Sequence, residues 1–220
     1  MFDGGRHGAD AEGWQHDRHV PPHLEALSHP VAVHAPTLVV IRGNSGSGKS
    51  TTAREVRSRY GRGCALVEQD HLRRIILREH DEPGAVAPAF IAATVRSALD
   101  LGYHVVLEGI LHAGRYRSAL LDLLATHPGP GHVFYLDISF PETVRRHGMR
   151  GDCGFTTEEM RDWYVERDLL GVPGEVVIGE ASSLPASVAT ILEVSGLDRA
   201  PTRTPCPTSC PRCAQKDAAR

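Results

Sequence analysis

Eight consecutive residues carry the clearest chemistry in this chain: Gly43, Asn44, Ser45, Gly46, Ser47, Gly48, Lys49 and Ser50, with Thr51 just beyond. They fit the pattern G-x-x-x-x-G-K-[ST] in full. Small residues let successive backbone N–H groups turn inward around a polyphosphate, and the start of a helix adds its partial positive charge. A lysine at this spacing reaches the outer phosphates, and the Ser50 hydroxyl is placed to ligate the Mg²⁺ they carry. The flanks agree, because the apolar run Thr37–Arg42 precedes the loop as a strand and a helical stretch from Ser50 to about Tyr60 follows it. Nucleotide binding is the expected chemistry. No N-K-x-D guanine-reading signature occurs, so ATP with Mg²⁺ is the expected pair. Of 24 basic residues only Lys49 and Lys216 are lysines. A compact ammonium suits the phosphate position, where arginine is not interchangeable with it.

A second group of polar residues stands at the ends of other apolar runs. Asp70 follows the short strand Ala65–Glu68 and enters the helical stretch His71–Glu79. A carboxylate there can orient an acceptor hydroxyl and take its proton; it can equally cap the helix. Arg73 lies three residues on, on the same helical face, and could hold a polar or anionic acceptor. Glu108 closes the strand His104–Glu108, a position from which it can act on Mg²⁺ through water or on the substrate. Which of Asp70 and Glu108 is the base stays open. His112 and Tyr116 follow as minor substrate candidates, and Asp137 reads as turn or cap duty before Pro141. In Val144–Gly151 (VRRHGMRG), Arg146 and Arg150 are four apart and share a face. Arginines closing over bound ATP would stabilise charge on the moving phosphoryl group and exclude water.

Alternating elements must position these residues. Besides the runs named, helices are expected over Ala87–Leu101, Arg115–His127, Pro141–His147, Thr157–Leu170 and Ser183–Val194, and strands over His132–Asp137 and Glu175–Ile178. In the His71–Glu79 stretch Leu72, Ile75 and Ile76 have core spacing. Strands alternating with helices imply an α/β three-layer sandwich with a central, mainly parallel five-stranded sheet, with ligands at the carboxyl ends of its strands. The folded domain should span residues 36–197, with the arginine-bearing lid at about 146–157. Residues 1–35, with six of the 13 histidines, read as a flexible arm, and residues 198–220 as a Pro/Cys-containing tail. Cys206, Cys210 and Cys213 in that tail read as incidental rather than as a zinc site.

Composition sets outer limits. A formal net charge of −3 over 220 residues argues against a protein that coats nucleic acid. No apolar run approaches the roughly 18–20 residues that span a bilayer, and the first residues have no apolar leader, so a cytoplasmic location is expected. The oligomeric state is not legible.

The stretches GNSGSGKS, QDHLRR and VRRHGMRG together resemble small P-loop kinases of the group that includes chloramphenicol phosphotransferase, zeta-toxin-type kinases and the kinase domain of polynucleotide kinase. The resemblance covers roughly residues 37–195. It implies that Asp70 takes the position of the catalytic base, Arg73 that of an acceptor-binding arginine, and Arg146 and Arg150 those of lid arginines. No broad basic channel accompanies these residues, which argues against a polynucleotide acceptor. The expected reaction is transfer of the γ-phosphoryl group of ATP to a hydroxyl of a small polar molecule of antibiotic, sugar or nucleoside type. The rival readings are a nucleoside or polynucleotide 5′-kinase and an NTP-binding regulatory or toxin-like module.

Overall fold

The structure is a computed structural model that describes residues 35–149 and 154–202, together with Pro211 and Gln215. The histidine-rich arm, Arg150 and the three tail cysteines lie outside the described residues. Five strands, β1 (Leu38–Gly43), β2 (Cys64–Glu68), β3 (His104–Gly109), β4 (Gly131–Asp137) and β5 (Val176–Gly179), form one sheet in the order β2-β3-β1-β4-β5. Every pairing is parallel. Parallel pairs need crossovers: helix α1 (Lys49–Tyr60) follows β1, α2 (Ala87–Asp100) follows β2 and α3 (Ala113–Thr126) follows β3, while α6 (Leu184–Ser195) comes after the last strand. Helices α4 (Phe140–Gly148) and α5 (Thr157–Trp163) stand between β4 and β5. The expected α/β sandwich with a central five-stranded sheet is therefore the fold.

The alternation of side chains along β1 divides the core into two layers. Leu38 and Val40 join Val105, Leu107, Ile91, Val95 and Tyr116 beneath α2 and α3. Val39 and Ile41 join Val106, Phe134, Val56 and Val188 beneath α1 and α6. The same parity sends the next residue, Arg42, into the first layer and, across the register Ile41 to Glu108, sends Glu108 toward α1.

Two expected elements differ. The stretch after β2 is wound as a π-helical segment, His71–Leu77. Its i→i+5 winding breaks the 3.6-residue spacing, so Leu72 alone is buried while Ile75 and Ile76 are 67% and 53% exposed. The helix expected over Thr157–Leu170 stops at Trp163. Beyond it the chain is extended at Tyr164 and left-handed at Arg167 (φ +48°), because side chains from β1, the phosphate loop and β4 bind its backbone. Among the described residues no helix is long and apolar enough to cross a membrane.

Candidate active site

The phosphate loop leaves the carboxyl end of β1 and enters α1 at Gly48. Gly48 has φ +96°, a left-handed backbone that only glycine adopts without strain. At Gly46 a Cβ would lie 2.7 Å from the Thr143 carbonyl oxygen, so the loop packs against α4 with no room for a side chain. The Ser47 N–H donates to the Asn44 carbonyl (3.1 Å), which also receives the Lys49 ammonium (3.1 Å). The residue before α1, Gly48, has no side chain with which to cap it, as suits a helix start that is to receive an anion. Ser45, Gly46, Ser47 and Ser50 take the loop positions that the motif requires, and Thr51 stands exposed at the rim.

Asn44 does something the motif does not specify. Its side-chain amide donates to the Val165 carbonyl (2.9 Å) and its oxygen accepts from the Val165 N–H (3.1 Å), as a neighbouring strand would. The side chain is therefore spent on holding the loop to the segment after α5.

Glu108 is the buried carboxylate of the site, only 4% exposed. Burial pushes its pKa up; the Lys49 ammonium and the Ser50 hydroxyl oppose that shift, and the charges of Glu68 and Asp70 add to it. One oxygen, Oε2, is buried with no hydrogen-bond partner among the described residues. An orphaned carboxylate oxygen beside a motif serine and lysine fits a hard cation, for which oxygen donors are the usual ligands. Asp70 lies at the carboxyl end of β2 with its side chain 64% exposed. It makes no cap hydrogen bond with the helical segment it precedes. Instead it accepts from Arg73 (3.0 Å), whose other nitrogen donates to the Glu79 carbonyl (3.0 Å).

Arg146 reaches the phosphate loop directly. Its Nη1 donates to the Ser47 carbonyl (2.9 Å) and its Nε to Glu142 (2.7 Å). Glu142 also takes two bonds from Arg145, and these two guanidinium groups pull its pKa down to about 2. Beside Arg146, between the start of α1 and the β5–α6 connection, opens a cleft of about 540 Å³. Met149, Ile178, Ser183 and Glu180 are among the residues lining it, so apolar, hydroxyl and charged groups all face the cleft. Helix α5 carries a capping box between Thr156 and Glu159 and packs near α4 through Phe155 on His147 (4.8 Å) and Arg161 over Phe140 (4.4 Å).

The loop after β3 is held by residues the sequence reading passed over. Arg42 is fully buried and donates to the Leu111 carbonyl from Nε and Nη2 (3.0 and 2.9 Å), to the Asp168 carbonyl (2.8 Å) and to the Asp168 carboxylate (2.8 Å). Glu175 stands 3.5 Å away. Leu111 is left-handed (φ +43°), a strained state for a branched residue, and its N–H donates to Gln69 (2.9 Å). His112 is partly exposed, with its ring 3.9 Å from Asp168. Tyr116 is packed in the core, where its hydroxyl donates to Asp81 (3.1 Å) and burial pushes its pKa up to about 12. Arg42 was visible as a charge closing the apolar strand TLVVIR, but its partners lie 69 and 126 residues away.

Comparison with known proteins agrees with this geometry. Among curated proteins no significant relative is found. Solved structures share the fold, three of them as follows. One is a sugar kinase from Janibacter sp. HTCC2649, 18% identical, covering 74% of this chain and 95% of its own, with a TM-score of 0.57. A gluconokinase from Sinorhizobium meliloti 1021 is 20% identical over 76% of this chain and 94% of its own, with a TM-score of 0.54. The Mycobacterium tuberculosis APS kinase CysC, in complex with AMPPNP and APS, is 16% identical over 76% and 99%, with a TM-score of 0.57. The sequence profile of the AAA domain family matches residues 38–166, from β1 to the segment that Asn44 holds. The chain therefore belongs to the AAA domain family and carries the fold of the small P-loop kinases.

Proposed function

We propose that this chain is an ATP- and Mg²⁺-dependent kinase that transfers the γ-phosphoryl group to a hydroxyl of a small polar molecule. The observation that carries the reading is one convergence at the carboxyl ends of the strands. The phosphate loop, the buried Glu108 and the exposed Asp70 meet there, and Arg146 is hydrogen-bonded to the loop itself. The adenine base takes the cleft beside Arg146, whose volume is of ligand size. Lys49 and the amides at the start of α1 hold the β- and γ-phosphates.

Ser50 and Glu108 would hold the magnesium, Glu108 through its orphaned oxygen. When bound, the ion neutralises charge on the phosphates. Asp70 accepts the proton of the acceptor hydroxyl. Its exposure at a strand end lets it meet a ligand, and Arg73 sets its orientation. Glu108, buried beside Lys49, is the metal-side carboxylate rather than the base. Arg146, with Arg150 as its expected companion, stabilises charge on the transferring group. The names of the three structural neighbours, all kinases of small molecules, agree with a small acceptor. The formal net charge of −3 argues against a polynucleotide.

The test is ADP release by purified protein with Mg·ATP and a panel of hydroxylated antibiotics, sugars and nucleosides, with mass spectrometry for the phosphorylated product. Acceptor-dependent turnover is expected. Asp70→Asn should keep ATP binding and lose transfer by on the order of a hundredfold or more. Lys49→Ala should lose tight ATP binding and transfer together. Slow hydrolysis that no acceptor accelerates would replace the kinase by a nucleotide-binding regulatory module.

A further inference from the structure

We propose that Asp168 is the positioning residue of the acceptor loop 109–113, and that the buried guanidinium of Arg42 is its anchor. This rests on the kinase reading, which makes the loop after β3 one wall of the acceptor site. Asp168 sits 55 residues away from that loop in sequence, yet one of its carboxylate oxygens does two things at once. It accepts from the N–H of Ala113 (2.8 Å), the first residue of α3, and from Arg42 Nη2 (2.8 Å). Helix α3 has no side-chain cap from its own N-terminal residue, so Asp168 supplies one from another part of the fold. Its other oxygen faces the partly exposed ring of His112 at 3.9 Å.

Arg42 completes the fixture from beneath. Two of its nitrogens hold the Leu111 carbonyl and so keep Leu111 in its left-handed conformation. A third holds the Asp168 backbone carbonyl. The same short segment reaches the donor side, because Val165 is bonded in both directions to Asn44 of the phosphate loop. The Tyr135 hydroxyl accepts from the Asp168 N–H (3.2 Å), so the segment is pinned at both ends. Residues 165–168 thus form a strut that begins just after α5, touches the phosphate loop at one end and fixes the acceptor loop at the other. A planar, five-donor guanidinium makes these four bonds at once from a spread fork, whereas an ammonium has three donors on one atom.

Amide hydrogen exchange on the full chain, with and without the non-hydrolysable nucleotide Mg·AMPPNP, tests the assignment. Asp168→Asn removes the charge with little change of shape. Glu175→Gln removes the other charge beside Arg42, but Glu175 binds the N–H groups of Leu170 and Gly171 rather than the acceptor loop. In Asp168→Asn the amides of residues 111–116 should exchange faster by on the order of fivefold to thirtyfold, because a neutral amide oxygen gives up the charge-assisted part of both bonds, to Ala113 and to Arg42. Amides of β1 and β3, and the affinity for Mg·AMPPNP, should stay within about twofold. Glu175→Gln should leave residues 111–116 at the wild-type rate. Arg42→Lys, which keeps the charge and loses the fork, should reproduce the local acceleration and serves if Asp168→Asn does not fold. Unchanged exchange at 111–116, a uniform rise across all strands, or an equal effect of Glu175→Gln would each overturn the assignment. A wild type that does not bind Mg·AMPPNP would instead sink the kinase reading, and the nucleotide-free comparison would still report on Asp168.

Discussion

Replacing Gly109 by alanine tests how tightly the loop after β3 is fitted to the end of β2. A Cβ at this position would stand 2.2 Å from Gln69 Oε1 and 2.5 Å from Gln69 Cβ. Carbon atoms in ordinary contact are about 3.5–4.0 Å apart. The close atom at 2.5 Å is the root of the Gln69 side chain and not its flexible end, so the backbone of Gln69 must move. Gln69 is only 2% exposed and accepts the Leu111 N–H at 2.9 Å, so moving it also orphans a buried donor. Overpacking costs about 1–3 kcal/mol, and the orphaned N–H about 1–3 kcal/mol more. A loss of about 4 kcal/mol follows, which in a domain of this size lowers Tm by roughly 10 °C. Urea unfolding followed by circular dichroism, with a thermal scan beside it, measures both. Gly179→Ala is the control: no atom lies within 4 Å of its added Cβ, and it should stay within about 0.5 kcal/mol of the parent. Removing the neighbour's Cβ as well removes the clash, so the Gln69→Gly, Gly109→Ala double variant should be more stable than additivity by about 1–2 kcal/mol. A Gly109→Ala protein within about 1 kcal/mol of wild type, or strict additivity in the double variant, would refute the packing argument.

Three further outcomes follow from the site. The raised pKa of Glu108 means that the folded state binds its proton more tightly than the unfolded chain does. That contribution to stability is present below the ordinary carboxylate range and is lost as pH rises through the raised value. The Tm of Glu108→Gln minus that of wild type should therefore grow from acid toward neutral pH, and thermal scans across that range read it; a flat difference would contradict the shift. Gly48→Ala forces a φ of +96° on a residue with a Cβ, at a cost of roughly 1–2 kcal/mol, and calorimetry should show the affinity for Mg·ATP falling by about tenfold or more. Asn44→Ala strands both the N–H and the carbonyl of Val165; urea unfolding should show a loss of about 2–4 kcal/mol, and a change below about 1 kcal/mol would mean water replaces the amide.

How much of this was legible differs from element to element. Strand β3 and its closing Glu108 were plain in HVVLE, because five residues of one apolar run carry the signal locally. The place of Asp70 was legible as well, but not that its carboxylate would take Arg73 and leave the helix end uncapped. The segment 164–170 read as a continuation of α5 because its composition is compatible with helix. Tertiary bonds from Asn44, Tyr135 and Arg42 overrode that propensity, which is worth only a fraction of a kcal/mol per residue. Ile75 and Ile76 carried core spacing and stand exposed, since the π-helical winding turns them away from the sheet.

The local part of this protein is written in adjacent residues. The phosphate loop, its single domain lysine and the alternation of strand with helix depend on neighbours within about eight positions, and those alone imply a parallel sheet and a nucleotide at its carboxyl edge. The tertiary structure decided which polar groups are buried and what they hold. Arg42 binds residues 69 and 126 positions away, Gln69 binds one 42 away, and Asp168 caps a helix 55 residues before it. A hydrogen bond between distant residues leaves no period and no spacing in the chain; it exists only once the sheet has brought its two ends together.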